Sequence, residues 1–427
     1  MPRFLLRRFA KDPSGNFVIL FAFALVPMLG LMGLGIDYSL ALRAKTALDA
    51  STDAALLAAA TEAMQIIQTQ STANYDATPV AKYYGGVAGQ MVFAANSATV
   101  RTVTPATLNL QVDRQPGSLT ITATGNYTAQ SPTVFGKMFG TKALNTKGAA
   151  ASSLNLPKYM NIYVATDISQ SMGIASTQAY MDQLASLTGG CVFGCHVSQN
   201  ASISNEQTAH NNNILLRIDV IKQAIQNMIY SASNTGGTSP TISIGLYTLQ
   251  KDYATLSSLS TDYTTLQNIA GSIDLGPNRA AGDGDTNYPT SLNDFAGAVS
   301  ASGDGSSTNS RQSFVFLMTD GVTDVPGNCV APSGQNWGHC TGPFDYNLCT
   351  SLKSKGVTVG VIYTTYIPFP NIQSYRDLVA PFASQIPINL QKCASPGWYY
   401  EANEGPAIQQ AINDLFNQAV SSGKLTQ

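Results

Sequence analysis

The chain has 427 residues, which is too long for one ordinary domain and predicts two or three folded units. Its formal net charge is -2 and only 11% of its residues are charged, so it lacks the basic field that binds a phosphate backbone. This composition excludes nucleic acid as an expected partner.

An apolar segment near the N-terminus predicts a transmembrane helix over residues 16–36. No residue from Asn16 to Ile36 is charged, and a helix of about 20 residues spans a hydrocarbon core. Basic residues predominate in residues 1–15, so the positive-inside rule predicts a cytoplasmic tail there and export of the chain after Ile36. A cleaved secretory signal is the alternative, but the apolar run is longer than a signal core and no convincing cleavage site follows it.

Two further regions follow the apolar segment. The sequence from Asp37 to Ile67 is rich in alanine and lacks glycine and proline, which predicts that the helix continues as a stalk within residues 37–90. From 91 to 156 the segments ATVRTV, TLNLQV and SLTITATGNYTAQ contain alternating, β-branched residues. They predict a small antiparallel, pilin-like sheet.

From residue 157 onward, short apolar runs alternate with helical segments. NIYVATD, TISIGLYTL, SFVFLMTD and VTVGVIYT predict strands, and RIDVIKQAIQNMIY and GPAIQQAINDLFNQAV predict helices between and after them. Such a βαβ series indicates an α/β fold with a parallel sheet. Two polar insertions, near 184–213 and 325–344, interrupt the series, and each contains a close cysteine pair.

All six cysteines follow the predicted membrane span, where oxidation is normal. Their pairing is open, since six cysteines allow 15 connectivities. Proximity favours Cys191 with Cys195 and Cys329 with Cys340, which leaves Cys349 for Cys393. Three residues rather than two separate Cys191 from Cys195, which argues against haem attachment, although a Cys/His metal site is an alternative there.

Five oxygen-bearing side chains follow predicted strands or precede a helix. Asp167 ends the strand NIYVATD, and Ser169 and Ser171 lie in the turn after it; Asp320 ends SFVFLMTD, and Thr286 lies in the polar loop GDGDTN. Ligands bind at the carboxyl edge of open α/β sheets, so we expect these side chains to converge there. Their oxygen atoms suit a hard cation such as Mg²⁺. Neutral hydroxyl ligands would leave that cation able to accept a carboxylate from a partner.

Other chemistry is less favoured by the same sequence. Thr290 is an alternative to Thr286 as a ligand, since both lie in one segment. Asp283, Asp285 and Asn287 have the opening spacing of a calcium loop, but the glycine and glutamate that such a loop requires are replaced. There is no GxSxG elbow for a serine nucleophile and no HExxH for a zinc hydrolase among the three histidines, His196, His210 and His339.

The segments DISQS, the TN of GDTN and FLMTDG resemble the metal-ion-dependent adhesion site of von Willebrand factor A domains, over about Lys158 to the C-terminus. The resemblance implies a Rossmann-like, mainly parallel sheet with helices on both faces. It also implies that Ser169, Ser171 and Thr286 bind Mg²⁺ or Mn²⁺ directly, while Asp167 and Asp320 act through water and hydrogen bonds. A domain of this kind binds a protein ligand that presents an acidic residue and is not an enzyme.

The sequence RRFAKDPSGNFVILFAFALVPMLGLMGLGIDY, followed by TALDASTDAALLAAA, resembles TadE/TadG-type proteins of tight-adherence (Flp) pilus assembly. TadG-type members join such a helix to an A domain. The resemblance implies a single-pass protein of the bacterial inner membrane, with a cytoplasmic N-terminus and a periplasmic or extracellular C-terminal domain. Members processed by a prepilin peptidase carry a glutamate five residues beyond the cleaved glycine. Here Leu20 stands five residues beyond Gly15, which favours permanent anchoring.

These patterns together predict a membrane-anchored adhesion or pilus-assembly protein whose partners are pilus or cell-surface components. One alternative is a structural stalk or scaffold subunit whose metal site only stabilises the fold. The other is a metal-dependent extracytoplasmic hydrolase, for which the sequence offers no general base beyond the metal-site carboxylates.

Overall fold

The chain forms two units in the computed structural model. The first runs to Gln70 and resumes over Asp76–Leu156, and the second contains Ser71–Tyr75 and Pro157–Gln427. The structure describes residues 16–115, 118–190, 204–235, 241–276, 286–326, 334–336, 339–366, 368 and 373–421.

The first unit combines two helices with an antiparallel sheet of three strands. Its elements are α1 (Asn16–Gln70), α2 (Thr78–Ser97), β1 (Thr107–Asp113), β2 (Thr120–Pro132) and β3 (Ala143–Asn155). The strands pair in the order β1-β2-β3, and a short 3-10 helix, Gly136–Phe139, lies in the loop between β2 and β3.

Helix α1 contains the predicted apolar segment and continues far beyond it, as the alanine-rich sequence indicates. Among the described residues it is the one helix that is long and apolar enough to cross a membrane. Its later part buries Leu48, Ala55, Leu56, Ala59 and Ala63, which recur at helical spacing. These small side chains form part of the cores that α1 shares with α2 and the sheet.

The predicted boundary between a helical stalk and a β-rich region is not a structural boundary. Helix α2 extends to Ser97, the segment ATVRTV forms no strand, and the first strand begins only at Thr107. Gly85 and Gly89 of α2 lie against backbone carbonyls of α1. This close approach depends on two segments distant in sequence, so the residue alternation within either segment does not reveal it.

The approach of α2 to α1 gives a matched pair of substitutions. A Cβ atom on Gly85 would lie 2.6 Å from the carbonyl oxygen of Ala59, whereas one on Gly86 would meet nothing within 4 Å. Alanine is the better helix former, so Gly86→Ala is expected to stabilise the first unit by about 0.5–1 kcal/mol. Gly85→Ala is expected to destabilise it by roughly 1–3 kcal/mol, because backbone cannot move aside cheaply. Calorimetric unfolding of the full chain measures the stability change of each variant, and the two changes should have opposite signs. Equal changes would contradict the close packing of Gly85 on α1.

The second unit is built on a six-stranded sheet, and the predicted α/β fold is confirmed. Its strands are β4 (Met160–Asp167), β5 (Ile242–Leu249), β6 (Tyr253–Ser260), β7 (Gln312–Thr319), β11 (Thr358–Thr364) and β12 (Tyr399–Ala402), in the order β12-β11-β7-β4-β5-β6. All neighbours are parallel except β6, an edge strand that pairs antiparallel with β5. The edge strand β6 was absent from the sequence prediction, because its sequence YATLSSLS has few large apolar residues.

Helices cover both faces of this sheet. They are α3 (Gln178–Thr188), α4 (Asn205–Asn211), α5 (Arg217–Ser233), α6 (Tyr263–Gly271), α7 (Tyr288–Ala298), α8 (Thr350–Ser354), α9 (Gln373–Leu378), α10 (Gln385–Cys393) and α11 (Gly405–Ser421). Successive residues of β4 point to opposite faces: Ile162 and Val164 join the core with α5 and α11, and Tyr163 and Ala165 join the core with α7 and α10.

The second predicted insertion contains a small sheet of its own. Its strands are β8 (Val322–Pro326), β9 (Gly334–Asn336) and β10 (His339–Pro343), paired antiparallel in the order β8-β10-β9. Strand β8 starts two residues after Asp320, so this insertion begins directly at the carboxyl end of β7. The described part of the first insertion consists of the end of α3, residues 189–190 and 204, α4 and residues 212–213.

Candidate functional site

The candidate site lies at the carboxyl ends of two neighbouring strands. Strands β4 and β7 are parallel, with Thr166 opposite Met318. Asp167 ends β4 and Asp320 immediately follows β7, so the sheet itself places the two carboxylates side by side. Both side chains are fully buried. Burial at this edge distinguishes them from ordinary turn aspartates, which are solvated.

The turn after β4 carries the two serines. The backbone N–H of Ser169 donates to Oδ1 of Asp167 at 2.9 Å, and the hydroxyl oxygens of Ser169 and Ser171 lie 3.0 Å apart. A 3-10 helix, Gln170–Gly173, follows Ser169 and turns the backbone here. The side chain of Gln170 donates to the carbonyl of Gly276 at 2.8 Å, which ties this turn to the segment after α6.

Thr286 reaches the same region through its backbone. Its N–H donates to the carbonyl of Asp324 at 3.3 Å, and the N–H of Asp324 donates back at 2.8 Å. This isolated bridge attaches Thr286 to β8, the strand just after Asp320. Thr286 is buried, whereas Thr290 is exposed in the first turn of α7. The buried position makes Thr286 the better candidate of the two.

Two residues that the sequence prediction missed hold Asp167 in place. The Tyr288 hydroxyl donates to Oδ2 of Asp167 at 2.5 Å, and the Thr319 hydroxyl donates to the same oxygen at 3.2 Å. With Ser169 on Oδ1, both oxygens of Asp167 are therefore occupied. Tyr288 lies two residues after Thr286, but nothing in the local sequence indicates that its ring points under the site.

Asp320 is held less completely. Its Oδ1 accepts the N–H of Val322 at 3.1 Å, while its buried Oδ2 has no hydrogen-bond partner. Burial and the charge of the adjacent Asp167 together raise the pKa of Asp320 to about 7, while the Ser171 hydroxyl and the N–H of Val322 act in the opposite direction. Burial also raises the pKa of Asp167. Two buried carboxylates with an unsatisfied oxygen call for a cation or a proton between them.

A buried arginine provides part of the compensating charge. Arg217, the first residue of α5, is 2% exposed and lowers the pKa of Asp320 through its charge. Its Nη2 donates to the carbonyl of Thr365 at 2.5 Å, but its Nη1 has no partner within the described structure. Burial lowers the pKa of the Arg217 guanidinium itself. Arg217 is a third site residue, after Tyr288 and Thr319, that no sequence motif singled out.

The donor set fits a hard cation better than a soft one. It offers serine and threonine hydroxyls and two carboxylates, which are the oxygen ligands that Mg²⁺ and Mn²⁺ prefer. In the described part of the chain, no group of three or more His, Cys, Asp or Glu side chains is placed to hold a metal. A centre built from such ligands alone is thus not found there, and the mixed hydroxyl and carboxylate set is the candidate.

The raised pKa of Asp320 predicts how the metal-free protein responds to pH. A carboxyl with a folded pKa near 7 and an ordinary unfolded value near 4 binds more protons when folded, so stability is highest at low pH and is lost as the pH rises through 7. We expect a contribution of roughly 2–3 kcal/mol between pH 8 and pH 5. Asp320→Asn removes the charge and should flatten this dependence in urea unfolding with EDTA present. If the unfolding free energy of the variant depended on pH as steeply as that of the parent, Asp320 would not be the group responsible.

The other candidate residues are distributed as follows. A disulfide joins Cys349 and Cys393, and Cys340 is also disulfide-bonded. His210 lies in α4, with its Nε2 3.2 Å from a carboxylate oxygen of Asp219, and Trp398 packs on Phe314 in the core. Further candidates lie outside the described residues: Cys191, Cys195, His196, Asp283, Asp285 and Cys329.

Solved structures with a similar arrangement share little sequence with the chain. The pilus adhesin SpaC from Lactobacillus rhamnosus GG is 12% identical, with a TM-score of 0.39, over 74% of this chain and 35% of SpaC. The PilB minor pilin from Streptococcus sanguinis is 13% identical, with a TM-score of 0.38, over 74% of this chain and 78% of PilB. Proximal thread matrix protein 1 from the mussel byssus, with a zinc-occupied MIDAS motif, is 14% identical, with a TM-score of 0.35, over 62% of this chain and 49% of that protein.

These similarities are too distant to assign a function, and the chain spans only about a third of SpaC. No curated protein matches the chain. A family comparison is informative for the N-terminal segment, which includes the apolar part of α1 and the alanine-rich part after it. Over residues 15–62 the chain matches the family described as putative Flp pilus-assembly, TadE/G-like.

Proposed function

We propose that this chain is a membrane-anchored, extracytoplasmic protein of pilus assembly or adhesion that grips a protein partner through a metal ion at the edge of its second unit. The TadE/G-like match over residues 15–62 supports the association with pili. The apolar part of α1 supports single-pass anchoring, and the basic N-terminal tail supports an orientation with the tail in the cytoplasm of a bacterial inner membrane. The Cys349–Cys393 disulfide supports export of the second unit.

The observation that carries the metal-bridging proposal is the buried, unpartnered Oδ2 atom of Asp320 beside a second buried carboxylate. Ser169, Ser171 and Thr286 would hold Mg²⁺ or Mn²⁺ directly. Asp167, whose oxygens are already engaged, would orient the serine turn and act through water. A bound ion would supply a coordination position for a carboxylate of the partner.

The same chemistry argues against the hydrolase alternative. Attack by a metal-bound water needs a group that accepts its proton. Within the described site, the titratable side chains near the metal position include Asp167, Asp320, Tyr288, Arg217, Tyr363 and Tyr366, and burial raises the pKa of Tyr363 and Tyr366. The first two are the metal-site carboxylates, and burial together with the adjacent carboxylates raises the pKa of Tyr288. We therefore propose a binding role and no catalysis.

Complementation in the host distinguishes metal-bridged capture from a structural role. A strain lacking this gene would receive either the parent chain or the Ser169→Ala, Ser171→Ala variant, and its pili would be counted by electron microscopy. We expect the parent to restore piliation and the variant to fail at equal membrane abundance, because the hydroxyls that hold the metal are gone. Equal piliation with both chains would instead favour the scaffold alternative, in which metal only stabilises the fold.

A further inference from the structure

A cavity in the first unit lies just beyond the apolar segment of α1. Its volume is about 500 Å³, and α1, the segment after α2 and the loop after β2 form its walls. Leu40 and Arg43 line it from α1 and lie roughly 6 and 10 Å beyond Ile36 at the helical rise. Headgroups add about 5–7 Å on each side of a hydrocarbon core. The Leu40 end of the cavity is therefore at headgroup level when residues 16–36 span a membrane, and Arg43 lies just outside that layer, within reach of it through its long side chain.

The loop between β2 and β3 packs on the end of that apolar segment. A Cβ atom on Gly33 would lie 2.5 Å from the ring of Phe135, and one on Gly30 would lie 2.9 Å from the ring of Phe139. Both glycines thus provide space for aromatic rings beside the helix. Phe139 and Met138 nevertheless remain 60% and 80% exposed. Gly30 and Gly33 precede Ile36, so these exposed apolar side chains would lie on the hydrocarbon side of the headgroups, where they suit contact with lipid.

A buried carboxylate fixes the loop at this position. Asp37, the first residue after the apolar segment, is 2% exposed. Its oxygens accept the backbone N–H groups of Val134, Phe135 and Gly136 at 2.7, 3.0 and 2.6 Å. The loop is consequently held by its backbone to the point where the helix leaves the apolar segment.

The lining of the cavity is cationic. Arg43, Arg101 and Lys137 line it, and no acidic residue does. All three are exposed, and none has a salt bridge or side-chain hydrogen bond in the part of the chain that the structure describes. Three unpaired cations around one cavity suit a phosphate group.

We propose that this cavity binds the phosphate of an anionic phospholipid. Arg43, Arg101 and Lys137 contact the phosphate oxygens, and the acyl chains follow the exposed apolar surface of α1. Free phosphate offers the same oxygens, but only a lipid also uses the apolar wall and the headgroup level. The inference depends on α1 spanning a membrane and is independent of the metal site.

Native mass spectrometry of the full chain tests the site. The protein would be released from neutral-detergent micelles containing equal amounts of phosphatidylglycerol and phosphatidylcholine, and the retained lipids counted. We expect selective retention of phosphatidylglycerol, and about a tenfold or greater loss in the Arg43→Gln, Arg101→Gln variant, since two charged contacts are removed. The matched control, Lys82→Gln with Lys147→Gln, makes the same charge change elsewhere in the unit and should retain the lipid.

A second variant separates binding from folding. Lys137 is exposed, so Lys137→Gln should leave the thermal stability close to that of the parent. It should nevertheless retain severalfold less phosphatidylglycerol. Equal retention of the two lipids, equal behaviour of the cavity and control variants, or full retention by Lys137→Gln would overturn the proposal. Displacement of the lipid by millimolar inorganic phosphate would overturn the assignment to a phospholipid, because the phosphate alone would then be the ligand.

Discussion

Titration of Mg²⁺ or Mn²⁺ into the purified full chain is expected to show saturable binding that is lost in the Asp167→Ala, Ser169→Ala variant. Ser169 would contribute a direct oxygen ligand, and Asp167 holds the Ser169 backbone at 2.9 Å. Removing both the ligand and its orienting group should weaken affinity by more than about 100-fold, since loss of an orienting partner alone costs roughly 10–100-fold. Isothermal titration calorimetry measures this directly.

The control for this titration is a variant that also replaces one aspartate and one serine by alanine, but on α11. Asp414→Ala with Ser421→Ala removes one carboxylate and one hydroxyl from the last helix, where Asp414 accepts a hydrogen bond from Gln410. It should bind the metal as the parent does. Absence of binding in a folded parent would refute the metal-bridged mechanism, and the loops at the sheet edge would then have to make the partner contacts without a metal.

Loss of the Cys349–Cys393 disulfide is expected to have the largest effect on the stability of the second unit. The bond closes a sequence separation of 44 residues between the 3-10 turn before α8 and the end of α10, and both sulfurs are fully buried. Chain-entropy arguments give roughly 4 kcal/mol for a loop of this length, with 2–4 kcal/mol typical of measured cases. Part of that stabilisation arises because the bond restricts the unfolded chain.

The variant to compare is Cys349→Ala with Cys393→Ala, because serine would bury two further hydroxyl groups at these positions. Urea unfolding followed by tryptophan fluorescence reports on the second unit, since both tryptophans of the chain, Trp337 and Trp398, belong to it. We expect a fall of about 3–4 kcal/mol in the free energy of unfolding. A fall below about 1 kcal/mol would mean that packing around the two residues, and not the covalent bond, stabilises this part of the fold.

The first unit shows which structural features can be predicted from the pattern of consecutive residues. Its apolar segment and alanine-rich helix were predictable because lipid-compatible length and helical spacing are properties of consecutive residues. A helical stalk was predicted over residues 37–90, but neither the separate helix Thr78–Ser97 nor its extension past residue 90 was, since Gly85 and Gly89 lower helix propensity locally and are favourable only against the backbone of α1. The cationic cavity likewise could not be predicted from one segment, because Arg43, Arg101 and Lys137 lie on three separate segments.

For the second unit, the α/β class and the positions of the main parallel strands were predictable from the amino-acid sequence. Long apolar runs that alternate with helices are specific enough to predict both. The Asp-Ser cluster after β4 and the aspartate after β7 could also be identified as candidate ligands, because each directly follows a strand. The folded structure was needed to show that Asp167 is held by Tyr288 and Thr319 and that one oxygen of Asp320 is left unsatisfied. Those facts depend on which side chains meet across the sheet, and no single segment of sequence contains that information.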